Sequence, residues 1–257
     1  MGIKKIILET ALLWGLFLTD CRKSIEPIIL PVSQEPLKKT LVDSRDEKIY
    51  QIVKIGNQWW MAENLNYGTM INSTTGDYQQ TNNEIAEKYC YNNDAYNCTN
   101  YGGLYEWDEA MNYAPSDSFN PGTTQGICPI GWHLPTEEEW KTLEIYLGMS
   151  QADINAKKTY RGTNQGSKLA GNASMWADGD LKSNVVFGAS GFMGLPGGNR
   201  HSYDGMFSGL SYHGSFLSAT ETGAGGAWGR ILSADKTGVF RDSNGKIYGL
   251  SVRCIKN

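Results

Sequence analysis

Five cysteines and three histidines are the side chains of this 257-residue sequence with the widest chemical repertoire. Cys21 closes an apolar leader, while Cys90, Cys98, Cys128 and Cys254 lie in the remainder of the chain. An even cysteine count in an exported chain favours disulfides over free thiols. Three pairings of the four are possible. The favoured one joins Cys90 to Cys98 as a local loop and Cys128 to Cys254 as a clamp across more than a hundred residues. Zinc is the competing chemistry, but no two cysteines have C-x₂-C spacing and histidine is scarce.

His133, between Trp132 and Leu134 just before a helix start, reads as a structural histidine bonded to local backbone. The acidic run Glu137, Glu138 and Glu139 falls in a helix first turn, where carboxylates offset the dipole. That reading is preferred to a glycosidase carboxylate pair. No G-x-S-x-G elbow occurs, and no catalytic constellation can be assembled without arbitrary choice. A non-enzyme is therefore expected. Asn92, Asn93 and Asp94, with Asp77 and Asn97 nearby, offer hard oxygens suited to calcium, yet lack the spacing of an EF-hand loop. Such residues also serve as turn formers. No cofactor is expected, and calcium at those three positions is the alternative.

Two stretches qualify as a ligand surface. Trp228 and Arg230, two apart on a strand, should share one face. They would form a cation–π pair inside the fold, or a platform for a sugar ring or peptide. Residues 197–215 contain Asn199, Arg200, Tyr203, Asp204, Tyr212 and His213, with His201 beside Tyr203. This Tyr-, Asn-, Ser- and Gly-rich mixture supplies rigid area and adaptable hydrogen bonds.

The elements that would position these residues are short. A hairpin is predicted from 48–55 paired with 58–63 around Gly56-Asn57. Residues 66–100 read as a long irregular loop. Residues 105–113 have helical character, with Trp107 and Met111 on one face. Thr136 with Glu139 makes a capping box for a helix over 137–147. Short strands are expected at 185–187, 191–195, 215–220, 227–233, 239–242 and 248–255. About two helices beside short twisted antiparallel strands and long loops define an α+β domain over 43–257. Trp59, Trp60, Trp107, Trp132 and Trp140 are expected in its core.

Ahead of the domain, Lys4 and Lys5 precede an apolar run over 6–18, too short to span a bilayer but suited to a signal peptide. Leu18-Thr-Asp-Cys21 resembles a bacterial lipobox, with Asp20 and Glu9 departing from the pattern. Residues 1–20 are thus read as a lipoprotein signal peptide, Cys21 as the lipidated residue and 21–42 as a proline-punctuated tether. An ordinary secretion signal that discards Cys21 is the alternative. The expected location is the outer membrane of the cell envelope, with exposure at the cell surface among the outcomes. A net charge of −4 offers no basic stripe for nucleic acid.

Several stretches closely resemble the Fibrobacter succinogenes major paralogous domain, abundant in Fibrobacteres and Bacteroidetes. They include Val53-Lys-Ile-Gly-Asn-Gln-Trp-Trp-Met-Ala-Glu-Asn-Leu65, Tyr101-Gly-Gly-Leu-Tyr-Glu-Trp107 and Gly126-Ile-Cys-Pro-Ile-Gly-Trp-His-Leu-Pro-Thr-Glu-Glu-Glu-Trp140. Ser190-Gly-Phe-Met-Gly-Leu-Pro-Gly-Gly-Asn-Arg200, Ala227-Trp-Gly-Arg-Ile-Leu232 and Ser251-Val-Arg-Cys254 follow in order. That family in turn looks like the formylglycine-generating-enzyme branch of the C-type-lectin-like fold. The resemblance implies an α+β domain with its termini brought together and a loop region that presents ligand. The enzyme branch's pair of active-site cysteines is not matched, because Cys254 is the only cysteine after Cys128. The expectation is a non-catalytic envelope lipoprotein with a binding or adhesion module for a glycan, peptide or protein. A diverged enzyme of the sulfatase-modifying-factor type and a purely structural surface component are the alternatives.

Overall fold

In the computed structural model, which describes residues 36–75 and 80–257, the Gly56-Asn57 dipeptide turns the chain between two strands as its sequence requires. Gly56 adopts φ +60°, a left-handed conformation open to glycine, and a Cβ there would also press on the Tyr146 ring. The signal peptide at 1–20, the lipidation site Cys21, the tether up to residue 35 and Asp77 lie outside the described residues. Pro36–Asn257 folds as one unit.

The chain opens with β1 (Lys38–Val42), β2 (Ile49–Ile55) and β3 (Gln58–Met61). Next come β4 (Thr69–Met70), β5 (Glu87–Lys88), α1 (Ala95–Tyr101), β6 (Leu104–Tyr105), α2 (Trp107–Ala110), β7 (Trp132–His133) and α3 (Glu137–Tyr146). The second half contains β8 (Thr159–Arg161), α4 (Gln165–Leu169), α5 (Asp180–Ser183), β9 (Gly197–Arg200) and β10 (Phe207–Leu210). It ends in three long strands, β11 (His213–Gly223), β12 (Gly226–Ser233) and β13 (Lys236–Gly245), then β14 (Leu250–Ser251) and β15 (Ile255–Lys256).

Two larger sheets result. The smaller runs β1-β2-β3-β15-β7, so the C-terminal strand sits between an early hairpin and the strand before α3. Ile255 is paired with both Trp60 and His133. The larger runs β10-β9-β11-β12-β13-β8, with β14 joined to β11 and β6 joined to β14. The α+β class follows from helices set among mixed sheets.

Four details differ from the sequence reading. Lys38–Val42, placed in the tether, is an edge strand; its Lys-Lys-Thr start shows no apolar period, as is common at protected edges. Five helices occur among the described residues rather than about two, because α1, α4 and α5 span only four to seven residues and carry no readable periodicity. The sheets are not wholly antiparallel: β9 and β14 each lie parallel to β11, and β4 lies parallel to β5. No strand forms at 185–187 or 191–195, where Gly188, Gly191 and even Met193 take positive φ.

α3 keeps its predicted start. Thr136 Oγ1 accepts from the Glu139 backbone N–H at 3.3 Å, and Glu139 Oε2 accepts from that of Thr136 at 3.0 Å. Its Trp140 packs in an aromatic group with Trp60 at 4.9 Å, Phe192 at 5.7 Å and Phe216 at 6.1 Å between ring centroids. The Arg253 guanidinium lies 4.6 Å from the Phe192 centroid, and its N–H groups donate to Asn64 and to the carbonyls of Met61, Phe192 and Met193. Burial pushes Arg253 down to about 9. Trp60, Trp107, Trp132 and Trp140 are buried, while Trp59 is half-buried beneath Lys39. No helix among the described residues is long and apolar enough to cross a membrane.

Both favoured disulfides form. Cys90–Cys98 closes a separation of 8 residues and Cys128–Cys254 one of 126. Chain entropy then ranks them, at about 2.5 kcal/mol for the short loop and about 5 kcal/mol for the long one. Replacing Cys128 and Cys254 by Ser is expected to lower stability by roughly twice as much as replacing Cys90 and Cys98, measured by urea unfolding at equilibrium.

Candidate functional site

Strand alternation decides where this domain keeps its charge. On β8, β12 and β13 the neighbours Tyr160-Arg161, Arg230-Ile231 and Phe240-Arg241 point to opposite faces of the sheet. All three arginines are buried, at 2%, 1% and 4% exposure. They meet two carboxylates of α3. Glu144 accepts from Arg161 Nη2 and Arg230 Nε, both at 2.7 Å. Glu137 accepts from Arg230 Nη1 and Arg241 Nε, both at 2.6 Å. Glu137 and Glu144 stand seven apart, two turns along one helix face.

Remaining guanidinium donors tie down the connection after α3. Arg161 donates to the Ile154 carbonyl at 2.8 Å, and Arg241 to those of Asn155 and Ala156 at 3.1 and 3.3 Å. Burial would raise the Glu137 carboxyl, but Arg230 and Arg241 outweigh it and hold it below the ordinary range. Burial works against the Arg230 charge too, and the two carboxylates overcome it.

On the opposite face, where no helix among the described residues lines the surface, lies a groove of about 380 Å³. Tyr160, Phe240, Ile231 and Ser215 make one row across β8, β13, β12 and β11, each the register partner of the next. The Tyr160 and Phe240 rings pack 5.1 Å apart at 56°, both half-buried. Asn199, His213, Asn244 and Tyr248 complete the rim. Gly229 permits the Asn244 side chain to lie close, since a Cβ there would sit 2.3 Å from Asn244 Nδ2. Burial pushes the His213 imidazole below its ordinary value, against a weaker pull from Asp235.

The residues singled out by sequence separate into two groups. Asn199 and His213 line the groove, and the Tyr212 ring lies 5.0 Å from that of His213. Tyr203 is 74% exposed on the turn between β9 and β10, where Asp204 accepts from the Met206 N–H. His201 is bonded to Ser208 Oγ at 2.8 Å. Arg200 and Arg230 are not surface residues. Arg200 is fully buried, donating to Ser73, Glu106 and the Ile247 carbonyl and lying over the Tyr89 ring. Arg230 belongs to the ion cluster. Trp228 shares its face as expected but stacks with Arg241 at 3.6 Å, away from the groove.

The other candidates act in capping and packing. Asn92 and Asn93 take φ of 56° and 55° in a tight turn, and the Asn93 amide clasps both backbone groups of Ser73. Asp94 caps α1 through the Tyr96 N–H. Among the described residues, no group of three or more His, Cys, Asp or Glu is arranged to hold a metal ion. His133 bonds side chains rather than local backbone: Nε2 faces Glu139 Oε1 at 2.8 Å and Nδ1 faces Asn257 Oδ1 at 2.7 Å. Burial opposes its charge, but the Glu139 hydrogen bond and charge prevail and raise its pKa.

Residues 53–256 match the sequence model of the Fibrobacter succinogenes major domain. The chain belongs to that family. The matched span runs from β2 into β15 and includes the groove, the ion cluster and both disulfides. No curated protein and no solved structure matches the chain. Sequence reasoning missed Tyr160, Ile231 and Phe240. Their signal was present as three dipeptides that couple an arginine to a large uncharged residue, but it needs the strand partners to be known.

Glu144→Gln leaves two buried guanidiniums short of a counter-charge and is expected to cost about 3–5 kcal/mol in urea unfolding; a loss below about 1 kcal/mol would show the cluster to be dispensable. The raised pKa of His133 makes a second forecast. Its contribution is complete below the ordinary value of 6.5 and fades as pH rises through the higher folded value. Thermal melts from acid to alkaline pH should show this decline, and Glu139→Gln, which retains the capping box, should flatten it.

Proposed function

We propose that this chain is a cell-envelope lipoprotein whose folded part is a non-catalytic binding module for a glycan, peptide or protein partner. The outer face of the large sheet is the surface that meets the partner. One observation carries this reading: half-buried Tyr160, Phe240 and Ile231 form an open groove on a sheet whose other face is packed against α3. Large uncharged side chains left at a concave surface mark a ligand site more often than a packing remnant. The lipidated anchor rests on Leu18 to Cys21, and an envelope address on the leader before it.

The finer architecture is read as C-type-lectin-like. Supporting it are the C-terminal strand held between β3 and β7 and the Cys128–Cys254 bond that ties the segment before α3 to that strand.

Arrays of glycans, peptides and envelope proteins probed with the full chain test the binding role. Ile231→Arg fills the groove with a charged side chain, whereas Val185→Arg changes a residue that is 99% exposed elsewhere. Hits abolished by the first substitution and retained by the second are expected. Hits indifferent to Ile231→Arg would remove the groove from consideration.

A further inference from the structure

The groove differs in its charge from three others of the domain. None of its lining residues is Asp, Glu, Lys or Arg. Those three have charged residues in their linings: Lys48 and Glu63 in one, Asp46, Lys48 and Glu84 in another, and Arg45, Glu84 and Glu109 in the third. The difference is built into the strands, since the arginines of β8, β12 and β13 all turn to the α3 side. A charged ligand entering here would lose hydration and find no counter-charge.

What the groove does offer is a mixture of ring faces and unspent neutral hydrogen-bonding groups. The Tyr160 and Tyr248 hydroxyls, Ser215 Oγ and the His213 ring nitrogens make no hydrogen bond to any described residue. Asn199 Oδ1 accepts from Ser208 at 3.2 Å, which orients the side chain and leaves its NH₂ group to donate elsewhere. Tyr160 and Phe240 provide apolar faces beside these groups. The volume, about 380 Å³, falls within the range of small-ligand sites, about 300–1,000 Å³.

We propose that the groove is a subsite for an uncharged sugar, a neutral pyranose unit of a glycan; this rests on the binding-module reading above. A pyranose presents axial C–H bonds on one face and hydroxyls around its rim, the complement of aromatic rings edged by amides and hydroxyls. A peptide strand is a poorer match. Peptides added to sheets take their main-chain hydrogen bonds from a free strand edge. Here β12 is paired on both sides and β13 is paired with β8 over Val239–Arg241, so the middle of the face, at Ile231 and Phe240, offers side chains alone.

Titration calorimetry with the full chain separates these possibilities. The probes are neutral gluco-, manno- and galacto-tetrasaccharides, their uronic-acid counterparts of equal length, and an uncharged hexapeptide. At least one neutral tetrasaccharide is expected to bind, with its uronic counterpart about tenfold weaker or worse. Tyr160→Ala and Phe240→Ala should each weaken binding about three- to tenfold, whereas Tyr160→Phe and Phe240→Tyr, which keep the rings, should retain most of it. Melting curves of all four variants check that the fold is intact. Uronic sugars binding as tightly as neutral ones, or the hexapeptide alone binding and being lost in the Ala variants, would overturn the sugar assignment while leaving a binding module. Probes that bind with equal strength to the Ala variants, or a complete lack of binding, would overturn both.

Discussion

Two carboxylates on one face of α3 hold three arginines that would otherwise be buried without counter-charge, and the large sheet is organised around that pairing. Each Arg–Glu contact fixes a strand against the helix: Arg161 for β8, Arg230 for β12 and Arg241 for β13. Removing these charges from water is costly, and only their mutual attraction and shared hydrogen bonds offset it. Such a cluster tolerates little displacement, because a strand that slipped by one residue would place its guanidinium on the solvent side. Register and charge burial are therefore one constraint.

That constraint also shapes the exposed surface. Alternation requires that the residue next to each buried arginine face outward. Those outward positions hold Tyr160, Ile231 and Phe240 rather than the Lys, Glu or Thr common on solvated sheets. Charge on the inside and neutral rings on the outside invert the usual distribution. The inner face gains its specificity from ion pairs, and the groove on the outer face is lined without Asp, Glu, Lys or Arg.

Local signals were legible in the sequence and distant ones were not. The Gly56-Asn57 hairpin and the Thr136–Glu139 cap lie within a few residues of their partners, so residue type alone reveals them. Cysteine parity exposed the disulfides because few pairings compete. Glu137, by contrast, reads as an ordinary first-turn carboxylate until Arg230, 93 positions later, is known to face it. Arg200 and Arg230 looked like ligand contacts for the same reason: a lone arginine in a polar, glycine-rich stretch gives no sign of its burial. The half-buried row of Tyr160, Phe240 and Ile231 exists only once β8, β13 and β12 are laid side by side.

The place of β15 bears on how the molecule comes into being. Its partners β3 and β7 are made early, yet they are not neighbours without it, since Ile255 bridges Trp60 and His133. During synthesis the small sheet has a gap at its centre until β15 emerges. Val252, Cys254 and Ile255, which fill buried positions, arrive with it. Closure of the small sheet thus waits on a strand far in sequence from both of its partners, at the kinetic cost that such sequence-distant contacts carry. A chain interrupted between β14 and β15 would keep the other strands of both larger sheets and lack the one that joins β3 to β7.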